Sequence, residues 1–163
     1  MVIDKDKIII RRVGSADIDT MITYRIKYLT EIQGERPAAV INHLQNELSS
    51  YFNTGIQNGS VVALVAIFEK QPVAYGAMAL RRIPGDFNGP TYLEGDVLNM
   101  YTLHEARRQG ISTLILNRLI AEAKNQGVTK LALHTTMAGE KLYRSAGFDN
   151  PMYPYMELKL GKE

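Results

Sequence analysis

The sequence predicts one α/β domain, spanning residues 1–163, in which helices cover both faces of a mixed β-sheet. Short β-branched runs alternate with longer runs whose apolar residues recur at helical spacing. A chain of 163 residues also fits one domain. The fourth strand, the longest apolar helix and the fifth strand form a βαβ unit, which makes those two strands parallel neighbours. The earlier strands are expected to form an antiparallel meander.

The N-terminal third is predicted to contain one strand and two helices. Residues 8–12 form the strand, and Ser15 is a suitable N-cap for the helix that follows. This helix ends near Gly34, and Pro37 suits the first turn of the second helix. The apolar side chains that recur at helical spacing in the two helices are Ile18, Ile22, Ile26, Leu29, Val40, Ile41, Leu44 and Leu48.

The middle of the chain is predicted to be mainly β-structure. Residues 60–68 and 73–80 are rich in β-branched and apolar residues, which indicates an antiparallel hairpin. The glycine- and proline-rich segment 83–90 is expected to be a loop. A fourth strand follows at 92–103.

The C-terminal part is predicted to alternate helices and strands. The main helix runs over 110–126 and ends at Gly127. A fifth strand at 130–134 and a short helix at 138–145 follow it. A last strand is expected at 153–160.

Composition excludes several function classes. The net charge of +2 argues against a general nucleic-acid binder. No apolar run is long enough to cross a bilayer, and the N-terminus lacks the apolar stretch of a signal peptide, so a cytoplasmic protein is expected. There is no cysteine, and His43, His104 and His134 stand apart, so no metal site is expected.

The segment 107–112, Arg-Arg-Gln-Gly-Ile-Ser, indicates an anion site. It lies between a strand and the main helix, where free backbone N–H groups and the positive end of the helix dipole attract phosphate. The fingerprint of dinucleotide-binding folds and the P-loop pattern are both missing from the chain. Another nucleotide-bearing cofactor is therefore expected.

Two motifs in order resemble the GNAT N-acetyltransferase superfamily. Arg107-x-x-Gly110-x-Ser112 is similar to the family's pyrophosphate signature, [QR]-x-x-G-x-[GA], although serine replaces the usual glycine or alanine. About thirty residues later, 142–148 resembles its Leu-Tyr-…-Gly-Phe run. Thr136 also departs from the family, since many members carry a cofactor-binding asparagine there. The resemblance implies a three-layer fold in which strands four and five splay apart.

The resemblance further implies acetyl-CoA as co-substrate. The pantetheine arm would complete the hydrogen bonding of strand four, and the N–H of Met100 would polarise the thioester carbonyl. The residues expected to contact the cofactor are Met100, Tyr101, Thr102, Arg107, Arg108, Gln109, Gly110, Ile111, Ser112, Thr113, Thr136 and Tyr143.

Catalytic and acceptor-binding roles follow from the same resemblance. Tyr143 would protonate the departing CoA thiolate, and Asp96 is the candidate base for the amine. The acceptor is expected near carboxylates and aromatic rings, which would suit a cationic amine of a small molecule or peptide. The residues predicted to bind it are Tyr28, Glu31, Tyr92 and Glu94.

The main prediction is an acetyl-CoA-dependent N-acetyltransferase. A non-catalytic CoA-binding sensor or regulatory module on the same fold is the alternative, since fold does not fix function. No nucleic-acid or membrane partner is expected, and pairing of C-terminal strands would allow a homodimer.

Overall fold

The computed structural model describes residues 2–161 and contains a five-stranded sheet in the order β1-β2-β3-β4-β5. The strands are β1 (Ile9–Arg12), β2 (Val61–Phe68), β3 (Gln71–Asp86), β4 (Gly89–Thr102) and β5 (Val128–Ala132). The helices are α1 (Ile18–Gln33), α2 (Ala38–Asn58), α3 (Ile111–Asn125) and α4 (Met137–Ser145). Among residues 2–161, only β4 and β5 pair in parallel, and the other neighbours are antiparallel, which confirms the predicted mixed sheet.

Alternation along the central strands divides the interior into two cores. Val61, Ala63 and Val65 of β2 pack with α1 and α2, whereas the intervening β2 residues pack with α3. Successive side chains of a strand point to opposite faces, so a continuously apolar strand needs a helix layer on each side. The predicted three-layer arrangement follows.

The segment predicted as a loop at 83–90 instead completes a long hairpin. β3 continues to Asp86 and β4 begins at Gly89. The Asp86 carboxylate accepts hydrogen bonds from the Asn88 N–H (2.8 Å) and the Tyr92 hydroxyl (2.6 Å). These bonds hold a turn between the strands, and the glycine and proline content was therefore a misleading loop signal.

The predicted last strand is also wrong. Residues 153–160 form no strand and are exposed to solvent. The apolar alternation there indicates which side chains would share a face, but a strand also needs a partner edge. β5 starts and ends two residues earlier than predicted, at Val128 and Ala132.

The start of α1 differs from the predicted serine cap. Ser15 opens a short 3-10 turn, Ser15–Asp17, before the helix begins at Ile18. The Asp17 carboxylate accepts from the Gly14 N–H (2.8 Å) and the Arg11 guanidinium (2.6 Å). The Arg11 hydrogen bond is the main reason that the pKa of Asp17 lies below its usual value.

Candidate active site

The strand pairing of β4 changes halfway along its length. It pairs with β5 from Leu93 to Asp96, and within the described chain no β5 partner continues beyond Asp96. Its C-terminal half, from Val97 to Thr102, therefore has β3 on one side and an open edge on the other. The pairing of strands four and five is parallel, as predicted, and their splaying stays a prediction that this open edge favours.

A β-bulge lies at the start of the open half. Tyr75 of β3 pairs with Tyr101 and Ala77 pairs with Leu98, so two residues of β4, Asn99 and Met100, face a single residue of β3. Asn99 has φ +57°, a conformation that asparagine tolerates better than most residues. The extra residue interrupts the ladder and leaves backbone groups available at the open edge.

Gly76, the β3 residue opposite the bulge, allows close packing around Met100. A Cβ on Gly76 would lie 2.5 Å from Ile115 Cγ2 and 2.6 Å from Met100 Sδ. The Met100 side chain therefore packs into the core beneath α3, and only its backbone is suited to contact a ligand in the cleft.

The predicted phosphate turn lies next to this open half. Arg108 and Gly110 both have positive φ, +61° and +81°, and α3 begins at Ile111. Leu114 N–H closes the first helical bond, onto the Gly110 carbonyl, so the amides of residues 111–113 face outward from the helix start. The Ser112 hydroxyl bonds to the Thr102 hydroxyl (2.8 Å), which ties the turn to the end of β4.

Arg107 faces inward rather than toward this turn. Its guanidinium donates to both carboxylate oxygens of Glu31 (2.9 and 2.7 Å) and to the Thr102 carbonyl (2.9 Å), and it lies over the Tyr101 ring. Burial alone would raise the pKa of Glu31, but hydrogen bonds from Arg107 and Tyr101 outweigh it and the pKa is lowered. The phosphate role of Arg107 stays a prediction that would require it to leave these partners.

Tyr143 lies on α4 with its ring packed against Phe148 (5.8 Å between centroids). Burial, and then the nearby Tyr28 phenol, raise the pKa of Tyr143 above its usual value, so it is protonated at neutral pH. A protonated phenol is what a proton donor requires. The structure thus brings Tyr28 and Tyr143, predicted separately, into one neighbourhood.

The other predicted carboxylates lie in the paired half of β4. Glu94 is 7% exposed and forms ion pairs with Lys130 (2.7 Å) and Arg81 (3.2 Å), and Asp96 lies 3.4 Å from Arg81. At about 3.3 Å per strand residue, Asp96 lies roughly 13 Å from Met100 and Glu94 roughly 20 Å. The base role of Asp96 and the acceptor role of Glu94 stay predictions, but the distances favour a structural role for Glu94.

Three further predicted contact residues have structural partners of their own. Tyr92 bonds to Asp86 near the hairpin tip, roughly 26 Å along the strand from Met100, which separates it from Tyr28 and Glu31. The Thr136 hydroxyl accepts from the Gly139 N–H (3.3 Å) and caps α4. The Gln109 side chain accepts from the Ile3 N–H (2.7 Å).

Two residues of this region, Lys5 and Arg25, were not predicted from the sequence. Lys5 lies over the phosphate turn, since a Cβ on Gly110 would be 2.9 Å from its Nζ. Arg25 of α1 donates to the side chain of Asn99 at the bulge (3.4 Å). No motif contains these residues, and only the topology brings α1 and the N-terminus to β4.

Comparison with known proteins identifies the fold's family. A family model described as an acetyltransferase (GNAT) domain matches residues 59–150, more than half of the chain. The chain belongs to the GNAT acetyltransferases. The matched segment contains the bulge, the phosphate turn and Tyr143, as the two motifs predicted.

Solved structures agree over nearly the whole chain. A predicted acetyltransferase with acetyl-CoA from Clostridium acetobutylicum is 30% identical with a TM-score of 0.81, covering 94% of this chain and 96% of its own. A GCN5-related N-acetyltransferase from Ralstonia eutropha (22% identity, TM-score 0.77, 93% and 98% covered) and glucosamine-6-phosphate N-acetyltransferase from Arabidopsis thaliana (16%, 0.66, 93% and 97%) share the fold. No curated protein matches the sequence.

No helix within residues 2–161 has the length and apolarity needed to cross a membrane. No three histidine, aspartate or glutamate side chains in the same range are grouped so that they could hold a metal ion.

Proposed function

We propose that this protein is an acetyl-CoA-dependent N-acetyltransferase that transfers the acetyl group directly to an amine of a small molecule or peptide. The observation that carries the proposal is the bulge at Asn99 and Met100, which opens β4 beside the turn at Gly110. The Clostridium acetobutylicum protein, 30% identical, is a complex with acetyl-CoA.

The residues of the cleft fit acetyl-CoA. The outward amides of Ile111–Thr113 suit the diphosphate, because a helix start offers free donors and a positive dipole end. Lys5 adds a positive charge over the same turn. The open edge from Met100 to Thr102 suits a chain of amides, as an added strand would.

The chemistry that acetyl-CoA supplies is an acyl group activated as a thioester. The Met100 N–H would donate to the thioester carbonyl, where negative charge develops during transfer. Tyr143, protonated and partly buried, would supply the proton to the thiolate that leaves. Asp96, roughly 13 Å along the strand from Met100, would accept a proton from the amine through a chain of waters.

The experiment is a steady-state assay of CoA thiol release with a panel of amines, including peptide N-termini. Amine-dependent release with formation of the acetylated product supports the proposal. Binding of acetyl-CoA without turnover on any amine would support the sensor alternative instead. Failure to bind acetyl-CoA would reject both.

A further inference from the structure

Arg25 is a half-buried cation on the acceptor side of the bulge that lacks a counter-charge. Across residues 2–161, no carboxylate lies within ion-pair distance of its guanidinium. Its one hydrogen bond, from Nη1 to the side-chain oxygen of Asn99, is long at 3.4 Å. Taking an unpaired charge out of water is costly, so an anionic partner would stabilise this arrangement.

The free edge of the guanidinium has a defined geometry. Arg25 Nε is buried and has no hydrogen-bond partner among the described residues. Nη2 makes no hydrogen bond within the same residues and is not among the atoms sealed from solvent, so this edge has one buried and one accessible donor. The Nε–Nη2 edge is one that a carboxylate can bind with two parallel hydrogen bonds.

Asn99 holds the opposite edge in place. It is 6% exposed, and its side-chain nitrogen also lacks a partner among residues 2–161. The same residue forms the bulge that opens β4, so the guanidinium is tied to the backbone that flanks the proposed acetyl position. Asn99 therefore acts as a positioning residue for Arg25.

The side chains around Arg25 favour an acceptor that carries an anionic group over the purely cationic acceptor that the sequence indicated. Glu31 is already paired with Arg107, and Glu94 with Arg81 and Lys130. The groups that interact with Arg25 are instead the phenols of Tyr28 and Tyr51, and Tyr28 also interacts with Tyr143. Arg25 is thus a positive charge without an ion-pair partner among residues 2–161, and it shares the neighbour Tyr28 with the proposed proton donor.

We propose that the acetyl acceptor is an amine that also carries a carboxylate, and that the Nε–Nη2 edge of Arg25 binds this carboxylate. The proposal rests on the acetyltransferase function proposed above and names its substrate class. A carboxylate is preferred to a phosphate because Arg25 supplies a single positive charge, and phosphate at neutral pH carries closer to two.

The test compares matched acceptors in the wild-type enzyme and in Arg25→Gln. The panel contains α-, β- and ω-amino acids, their carboxamides and the corresponding aminoalkyl phosphates. Wild type should show kcat/KM about 10- to 100-fold higher for the carboxylates than for the carboxamides, as expected for hydrogen bonds to a charged group. Arg25→Gln should lose most of that preference while its rate with carboxamides stays close to wild type.

Three controls separate the outcomes. Arg36→Gln makes the same substitution on an exposed arginine after α1, whose side chain donates to the Glu35 carbonyl, and should keep the preference. Asn99→Gly keeps the positive φ but removes the amide, and should weaken the preference partially. Circular dichroism and thermal unfolding establish that each variant is folded.

Several results would overturn the proposal. Equal rates for carboxylates and carboxamides, or an equal loss for both in Arg25→Gln, would exclude a carboxylate at Arg25 while leaving acetyl transfer intact. An Arg25-dependent preference for the aminoalkyl phosphates would mean that the anionic group of the acceptor is a phosphate and not a carboxylate. If no amine is acetylated, the proposed function fails, and calorimetry of the same panel against the CoA-bound wild type and Arg25→Gln still decides whether carboxylates bind at Arg25.

Discussion

The two halves of β4 differ in how completely their polar groups are satisfied. In the half that ends at Asp96, residues 93–96 pair with strands on both sides, and the buried Glu94 has two cationic partners. The half that follows has one open edge, a bulge and, at Asn99, a buried amide nitrogen with no partner among the described residues. One extra residue in the strand thus separates a structural segment from one that can accept a ligand.

The largest effect is expected at the turn beside the open half. Gly110→Asp places a carboxylate where the diphosphate of CoA is proposed to bind. Two like charges about 4 Å apart cost about 4 kcal/mol at an effective dielectric constant of about 20, which corresponds to a loss of CoA affinity of roughly 1,000-fold. Isothermal titration calorimetry measures this loss.

Gly127→Asp is the matched control. Gly127 has a similar positive φ (+73° against +81°) and lies at the opposite end of α3. Both substitutions place a side chain at a similar positive φ, but only a Cβ on Gly110 meets Lys5 over the proposed phosphate turn, whereas a Cβ on Gly127 meets nothing within 4 Å. Equal CoA affinity in the two variants would reject the phosphate turn.

The second effect concerns the proton donor next to the open half. Tyr143→Phe should lower kcat on the order of 100-fold, the usual contribution of a general acid, with little change in CoA affinity. Because the pKa of Tyr143 is raised, its protonated form persists as the pH increases, and its contribution should decline only above about pH 10. Stopped assays from pH 7 to 11 measure both features.

Tyr155→Phe serves as the comparison for Tyr143, since Tyr155 is 70% exposed in the segment after α4. It should leave kcat unchanged. Identical rates for wild type and Tyr143→Phe would show that Tyr143 is not the proton donor. The proposed binding of phosphate at the Gly110 turn would be unaffected by that result.

The third prediction compares one glycine from each half. Gly76→Ala places a Cβ against Ile115 and Met100 beneath the bulge, and such overpacking costs about 1–3 kcal/mol of unfolding free energy. Gly95→Ala in the paired half meets the flexible ends of Leu131 and Leu80. Urea unfolding should show the larger loss for Gly76→Ala, and only that variant should also lose activity, because Met100 moves. Equal activity in both variants would show that the position of the Met100 backbone does not determine the catalytic rate.

The sequence predicted the open half better than its surroundings. The motif around Gly110 and the run containing Tyr143 are local, so their positions relative to a helix start and a helix end could be predicted from spacing alone. The contact of Arg25 with Asn99 and the ion pair of Arg107 with Glu31 both require α1 to pack against β4. Each contact joins residues more than 70 positions apart in the chain. No local pattern records such a contact.

The errors of the sequence analysis have a related cause. Segment 83–90 has loop composition, yet a hairpin requires only a short turn, and the Asp86 side chain stabilises it. Segment 153–160 has strand-like alternation, yet alternation selects a face and supplies no edge to pair with. Ser15 can cap a helix, but Asp17 bonds to Gly14 instead. In each case a specific side-chain partner or its absence decided the outcome.

The smallest effect is expected for the ion pair between Glu31 and Arg107, which lies between α1 and the open half of β4. The pKa of Glu31 is lowered in the folded protein, so its contribution to stability is present above the pKa of the unfolded chain, near 4.5, and is lost as the pH falls through the lowered value.

Because both partners are more than one-third exposed, solvent screening limits that contribution to about 1 kcal/mol or less. Urea unfolding at pH 7 should show Glu31→Gln less stable than wild type, and the difference should shrink as the pH falls below about 4.5 and vanish below the lowered pKa of Glu31. Glu35→Gln, at an exposed carboxylate two residues after the end of α1, should show no difference at pH 7. A stability gap for Glu31→Gln that persists at low pH would mean that the side chain contributes through packing rather than through its charge, and Arg107 would then be free to reach a phosphate.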